Sequence, residues 1–153
     1  MNKRVKRKNQ CGFTLIEIMI AITIFAIGIL AVAAMQIGAV KGNSSASGLT
    51  EATMAAQNRM EQLMSLNYNN PILSDADNDG IGGLNDTVPP DTASSADGTS
   101  QYTGATSAVY NVFWNVAVNS PVNNTKQIRV IVKWTQNGGS RTVILNSVKS
   151  LTE

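Results

Sequence analysis

Gly12-Phe13-Thr14-Leu15-Ile16-Glu17 opens an apolar run that continues as IMIAITIFAIGILAVAAMQIGAV, from Ile18 to Val40. Between Phe13 and Val40 the only charged side chain is Glu17. A helix over that span extends about 42 Å at 1.5 Å per residue, longer than the hydrocarbon core of about 30 Å. An acidic side chain near the middle of a bilayer costs about 2.5–3.5 kcal/mol on insertion scales. Charges retained inside such segments are functional by default. The run reads as a membrane-length helix, and Glu17 as the residue within it that has a job.

Working outward, the preceding tail holds Lys3, Arg4, Lys6, Arg7 and Lys8, five of the twelve basic residues. A chain starting at Phe13 would keep seven basic against ten acidic side chains, a formal charge of −3 in place of +2. The basic balance is a property of the tail. It sets orientation, with residues 1–12 cytoplasmic and everything after Lys41 outside. The other basic residues are scattered, so no nucleic-acid partner is expected. There is no histidine, and the single cysteine, Cys11, lies in the tail. An intrachain disulfide, a thiolate metal site, a Ser-His triad and a Cys-His pair are excluded, and the chain is not read as an enzyme.

Four readings of the N-terminal segment compete. A secretory signal cut after Ala31-Val32-Ala33 has its small-x-small site, but such apolar regions run about 7–15 residues and carry no charge. A lipoprotein signal fails because no apolar segment precedes Cys11. A plain single-span anchor explains the length but neither Gly12 nor Glu17. The fourth reading takes the parts together. Basic tail, Gly12, Phe13 and Thr14-Leu15-Ile16-Glu17 before an apolar helix resemble the class III signal of type IV pilins and pseudopilins.

That resemblance implies cleavage after Gly12 by a prepilin peptidase, N-methylation of the new terminal Phe13 by the same class of enzyme, and filament assembly through Glu17. It implies as partners the prepilin peptidase/N-methyltransferase, other pilin subunits through the N-terminal helix, an inner-membrane assembly platform, and the lipid bilayer before assembly. Physically, cleavage places an ammonium at Phe13 one turn from Glu17. In a filament the carboxylate of one subunit can neutralise the amine of a neighbour, offsetting the desolvation of both only if they meet. Ala26-Ile27-Gly28-Ile29-Leu30-Ala31 with Gln36 looks most like PilV-type minor pilins, the type IV pilus modification proteins. No helix-kinking proline occurs in that neighbourhood.

Past Val40 the composition turns polar yet helix-compatible to about Leu66. Leu49, Ala52, Ala56, Met60 and Leu63 recur at steps of three and four, an apolar stripe. Gly42, Asn43, Ser44, Ser45 and Gly48 are poor helix formers, and a bend or break is expected there. Met54, Met60 and Met64 read as core filler. Residues 67–107 are rich in Asn, Asp, Ser, Thr, Gly and Pro, with Pro89-Pro90 in the middle, and read as an irregular loop.

Within that loop, Asp75-Ala76-Asp77-Asn78-Asp79-Gly80 is followed by Asp86 at the twelfth position of the same count. Carboxylates at positions 1, 3 and 5, glycine at 6 and an acid at 12 are the spacing of a calcium loop. Asp75, Asp77, Asp79 and Asp86 would supply side-chain oxygens and Ile81 its carbonyl. Asp86 is shorter than the usual glutamate, Gly82 stands where an apolar residue normally ties the loop down, and no clear helix follows. A solvated acidic turn is the competing reading.

The last third changes period. Tyr110, Val112, Trp114, Val116 and Val118 alternate with Asn111, Phe113, Asn115, Ala117 and Asn119, which is strand spacing. Ile128, Val130, Val132 and Trp134 repeat it, and Asn137-Gly138-Gly139-Ser140 turns into a third strand around Thr142–Lys149. Trp114 and Trp134 are read as core residues. The expected fold is α+β and pilin-like: leader 1–12, membrane or filament half of a long helix 13–40, amphipathic half 41–66, loop 67–107, and an antiparallel sheet of about three strands over 108–153, one face packed on the helix. The resemblance implies a structural, minor subunit of a type IV pilus, first single-pass in a bacterial inner membrane and then in a periplasmic or extracellular fibre. Its alternative is a pseudopilin of a type II secretion system. No cofactor is required, with Ca²⁺ as the one candidate.

Overall fold

A computed structural model describes residues 12–87, 96–105 and 107–151. The leader before Gly12, including Cys11, and the Pro89-Pro90 pair lie outside the described residues. One helix, α1, spans Leu15–Ser65. The chain divides into two compact units, Met1–Asn43 and Ser44–Glu153.

In the first unit, the side chains from Phe13 to Val40 are exposed throughout, with Phe13 at 80 % and Met35 at 74 %. α1 is the one described helix long and apolar enough to cross a membrane. A helix suits such a segment because it satisfies every backbone group internally when the surroundings offer no hydrogen bonds.

The second unit is built by packing the later part of α1 on a sheet. Four strands, β1 (Gly98–Thr103), β2 (Val109–Val118), β3 (Thr125–Gln136) and β4 (Gly139–Ser150), form an antiparallel meander in sequence order. Ala52, Ala55, Ala56 and Leu63 of α1 are buried against Tyr110, Val112, Trp114 and Val116 of β2 and Ile128, Val130, Val132 and Trp134 of β3. The small alanines let the helix approach the sheet closely, and Trp114 and Trp134 fill the space beside them. Of the expected stripe, Leu49 lies outside this core at 51 % exposure.

No break interrupts the Gly42–Gly48 stretch. Its weak propensity is overridden by tertiary contacts. Gln136 Nε2 donates to the Ser44 carbonyl at 2.7 Å, and a Cβ on Gly48 would stand 2.9 Å from the same amide. The other helix end has no basic residue in its last turn. A lysine from the sheet serves instead, Lys149 Nζ donating to Met64 O at 2.6 Å, while Lys126 Nζ donates to Tyr68 O and Leu73 O, both at 2.7 Å, in the segment that follows the helix. Cations at a helix C-terminus satisfy orphan carbonyls and offset the negative end of the dipole.

The sheet has one strand more than expected. β1 falls in the stretch read as loop, because Gly98-Thr-Ser-Gln-Tyr-Thr103 carries no apolar alternation and is held as a strand by pairing with β2, from Gly98↔Trp114 to Thr103↔Val109. The β3–β4 hairpin turns on Asn137 (φ 52°) and Gly138 (φ 76°), and β4 starts at Gly139, earlier than expected. Asn-Gly with two positive φ values is the two-residue turn whose twist matches the strands.

The second face of the sheet is covered too. The 3₁₀ turn Gly82–Asn85 packs on β2 and β3, and Ala96, Phe113 and Ile131 form a separate small core. Asn115 and Ala117, on the face away from the helix, are 2 % and 0 % exposed. The loop after the helix is thus a layer of the head.

Candidate functional site

The first candidate site is the start of α1. Thr14 caps it: its hydroxyl accepts from the Glu17 N–H at 3.3 Å, and its carbonyl accepts from the Glu17 and Ile18 N–H groups at 3.1 and 3.3 Å. Thr14 is therefore the N-cap of α1, a role that a threonine just ahead of an apolar helix signals in the sequence. Glu17 occupies the third helical position, where a carboxylate is favoured by the helix dipole. Its side chain makes no hydrogen bond among the described residues, and it is exposed among Ile16, Ile18 and Ile20. Phe13 precedes the cap, 80 % exposed. The arrangement offers one carboxylate at the positive end of an apolar helix, one turn from the proposed new terminus.

Residues 7–33 match the prokaryotic N-terminal methylation motif. This is the class III signal of type IV pilins, and it supports a type IV pilin- or pseudopilin-like processed subunit. The motif implies processing by a prepilin peptidase and assembly with other pilins. With the apolar helix, it supports membrane anchoring before assembly. No curated protein and no solved structure matches the chain.

The second candidate site is the acidic loop. Asp75 turns it: Oδ1 accepts from the Asp79 N–H at 3.2 Å and Oδ2 from the Gly80 N–H at 3.0 Å. Asn78 and Gly80 take positive φ values of 59° and 61°, the left-handed conformation that glycine and asparagine tolerate. Side-chain oxygens of Asp77, Asp79 and Asp86 lie within 4.8 Å of one another, and so do those of Asp75, Asp77 and Asp97. The expected carboxylates thus fall in two groups that share Asp77, with Asp79 and Asp86 in one and Asp75 in the other. Ile81 stands before the Gly82–Asn85 turn with its side chain 68 % exposed.

Asp97 is the member that counting positions missed, because it lies outside the twelve-residue spacing. Its Oδ1 accepts from Ala76 N–H at 2.5 Å and its Oδ2 from Val116 N–H at 2.6 Å, so one side chain joins the loop to β2. Asn115 completes the attachment. Its Oδ1 accepts from Asp97 N–H at 3.2 Å, and its Nδ2 donates to Leu84 O at 3.2 Å and Asp86 O at 3.0 Å.

The electrostatics are unbalanced. Asp79 is pushed up to about 6, first by burial and then by Asp77, Asp75, Asp86 and Asp97; every charge acting on it is another carboxylate. Burial also raises Asp97, against the lowering effect of the Ala76 and Val116 hydrogen bonds. Asp77 Oδ2 is buried without a hydrogen-bond donor. A Cβ on Gly83 would fall 1.9 Å from the Asp79 carboxylate, so that carboxylate folds over a space only glycine leaves open. Convergent hard oxygens, one of them unsatisfied, and no compensating base are the donor set that Ca²⁺ takes.

Proposed function

We propose that this protein is a structural, minor subunit of a type IV pilus, without catalytic activity of its own. The leader is removed between Gly12 and Phe13, Phe13 is N-methylated, and the chain waits in the inner membrane with its N-terminus cytoplasmic until assembly. The observation that carries this reading is the match over residues 7–33 combined with a wholly exposed apolar segment, Phe13–Val40, whose single charge is Glu17. The minor-pilin assignment rests on the likeness of Ala26–Ala31 and Gln36 to pilus modification proteins. In the fibre, Glu17 of one subunit pairs with the Phe13 ammonium of another.

Glu17→Leu tests this. The variant is expected to enter the membrane and lose its leader as before, yet to be missing from sheared fibres. Normal incorporation would refute the role of Glu17. N-terminal sequencing should find N-methyl-phenylalanine from position 13; a start near Ala34 would identify a cleaved export signal. A type II secretion pseudopilin shares the same processing. Loss of protein secretion on deletion, with no subunit in surface fibres, would select that alternative.

We further propose that the head binds one Ca²⁺ through Asp75, Asp77, Asp79 and Asp86, with the Ile81 carbonyl contributing. The buried, donor-less Asp77 Oδ2 favours this over a solvated turn. The ion would brace a head whose chain has no cysteine pair. Calorimetry of the full chain in detergent should show saturable heat with CaCl₂, abolished in Asp77→Asn. Absence of heat at millimolar calcium would remove the proposal.

A further inference from the structure

Arg59 is placed on α1 with its guanidinium carbon 3.7 Å above the centre of the Trp114 ring. One hydrogen bond holds the group, from Nη1 to Gln62 Oε1 at 3.1 Å. Its Nε is buried without an acceptor, and the same holds for the indole Nε1 of Trp114, itself 8 % exposed. Burial lowers the Arg59 pKa, and no carboxylate among the described residues opposes that shift. A charge in this position carries a desolvation penalty that a counter-ion would offset.

Beside the stacked pair opens a cleft of about 280 Å³, lined by Arg59, Asn58 and Gln62 from α1 and by Ser100, Gln101 and Tyr102 from β1. Arg59 is the only charged member, and its neighbours supply amides and hydroxyls. β1 is the outer strand of the sheet, and among the described residues it pairs with β2 alone. A planar guanidinium fixed by an aromatic face presents its remaining N–H groups in a fork matched to a carboxylate. A single positive charge, with no lysine nearby in the lining, balances one negative charge and so favours a carboxylate over a phosphate dianion.

We propose that this cleft is a carboxylate-binding site that receives a carboxylate of another polypeptide. The carboxylate is either an aspartate or glutamate side chain or a chain terminus. This site is separate from the helix start and from the acidic loop, and it stands whether the subunit serves a pilus or a secretion pseudopilus.

The test uses the full-length, ¹⁵N-labelled chain in detergent micelles. Its two tryptophans give two indole resonances, assigned with Trp134→Phe. N-acetyl-aspartic acid α-amide supplies a side-chain carboxylate and N-acetylglycine a terminal one, with sodium chloride and inorganic phosphate at matched ionic strength as controls. The expected result is a saturable shift of the Trp114 indole and Arg59 Nε resonances with either carboxylate and none with chloride. A preference between the two compounds supports the site and names the source. Arg59→Lys should weaken binding about tenfold or more by removing the fork, and Arg59→Gln should abolish it. Shifts that match chloride, that appear only with phosphate, or that survive in a folded Arg59→Gln variant would overturn the proposal.

Discussion

Asn115→Ala is the substitution that most directly examines how the head is held together. Asn115 is a polar residue in the middle of β2 with 2 % of its surface exposed, and each of its three hydrogen bonds goes to backbone of the covering loop. A net worth of about 1 kcal/mol per bond gives a loss of about 3 kcal/mol, and more where the Leu84 carbonyl is left dry. For a head of this size that lowers the unfolding midpoint by about 10–20 °C. Circular dichroism on the full chain in detergent, with EDTA and with calcium, measures it. The same variant should bind calcium more weakly, because Asn115 fixes the backbone on both sides of Asp86 and that of Asp97. Asn115→Asp should be worse, since it turns the donor facing two carbonyls into a charged acceptor beside other carboxylates. A midpoint shift below about 3 °C for Asn115→Ala would mean that the loop finds other anchors, and the reasoning would be wrong.

Other expectations follow from local geometry. Gly98→Ala should unfold the head or lower its stability by about 3 kcal/mol or more, because the new Cβ would stand 1.9 Å from the Trp114 ring, in a core where neither group can withdraw; thermal melts that match wild type would contradict the packing described. With EDTA present, the raised pKa of Asp79 means the folded state holds a proton that the unfolded state has released. That contribution is complete below about pH 4 and is lost as pH rises through about 6, so the calcium-free head should become more stable on acidification from pH 7 toward 5. Calcium competes with that proton, so its affinity should fall as pH drops below about 6; calorimetry at pH 7 and pH 5 giving equal affinities would rule this out.

Most of the fold was legible because it rests on periodicity. Phe13–Val40 is unbroken, Ala52, Ala56 and Leu63 repeat at helical steps, and β2 and β3 alternate over long runs. What stayed hidden depends on contacts distant in sequence. β1 is polar and is a strand only because β2 pairs with it. Asn115 looked like a solvent-facing residue, since an asparagine in an alternating strand gives no sign that a loop about thirty residues upstream will cover it. Asp97 could not be counted into the acidic loop, as it joins through β2 and not through spacing. The unbroken passage of α1 through Gly42–Gly48 was also invisible, because a glutamine at position 136 supplies part of what local propensity withholds.

Lys149 has a consequence for motion. Helix ends ordinarily fray, opening and closing their last turn independently of everything else. Here the Met64 carbonyl is held by an ammonium group rooted in β4, so unwinding that turn requires breaking a contact to the sheet. Amide exchange around Met64 should then be as slow as at the centre of the sheet, and the helix terminus would melt in the same step as the strands.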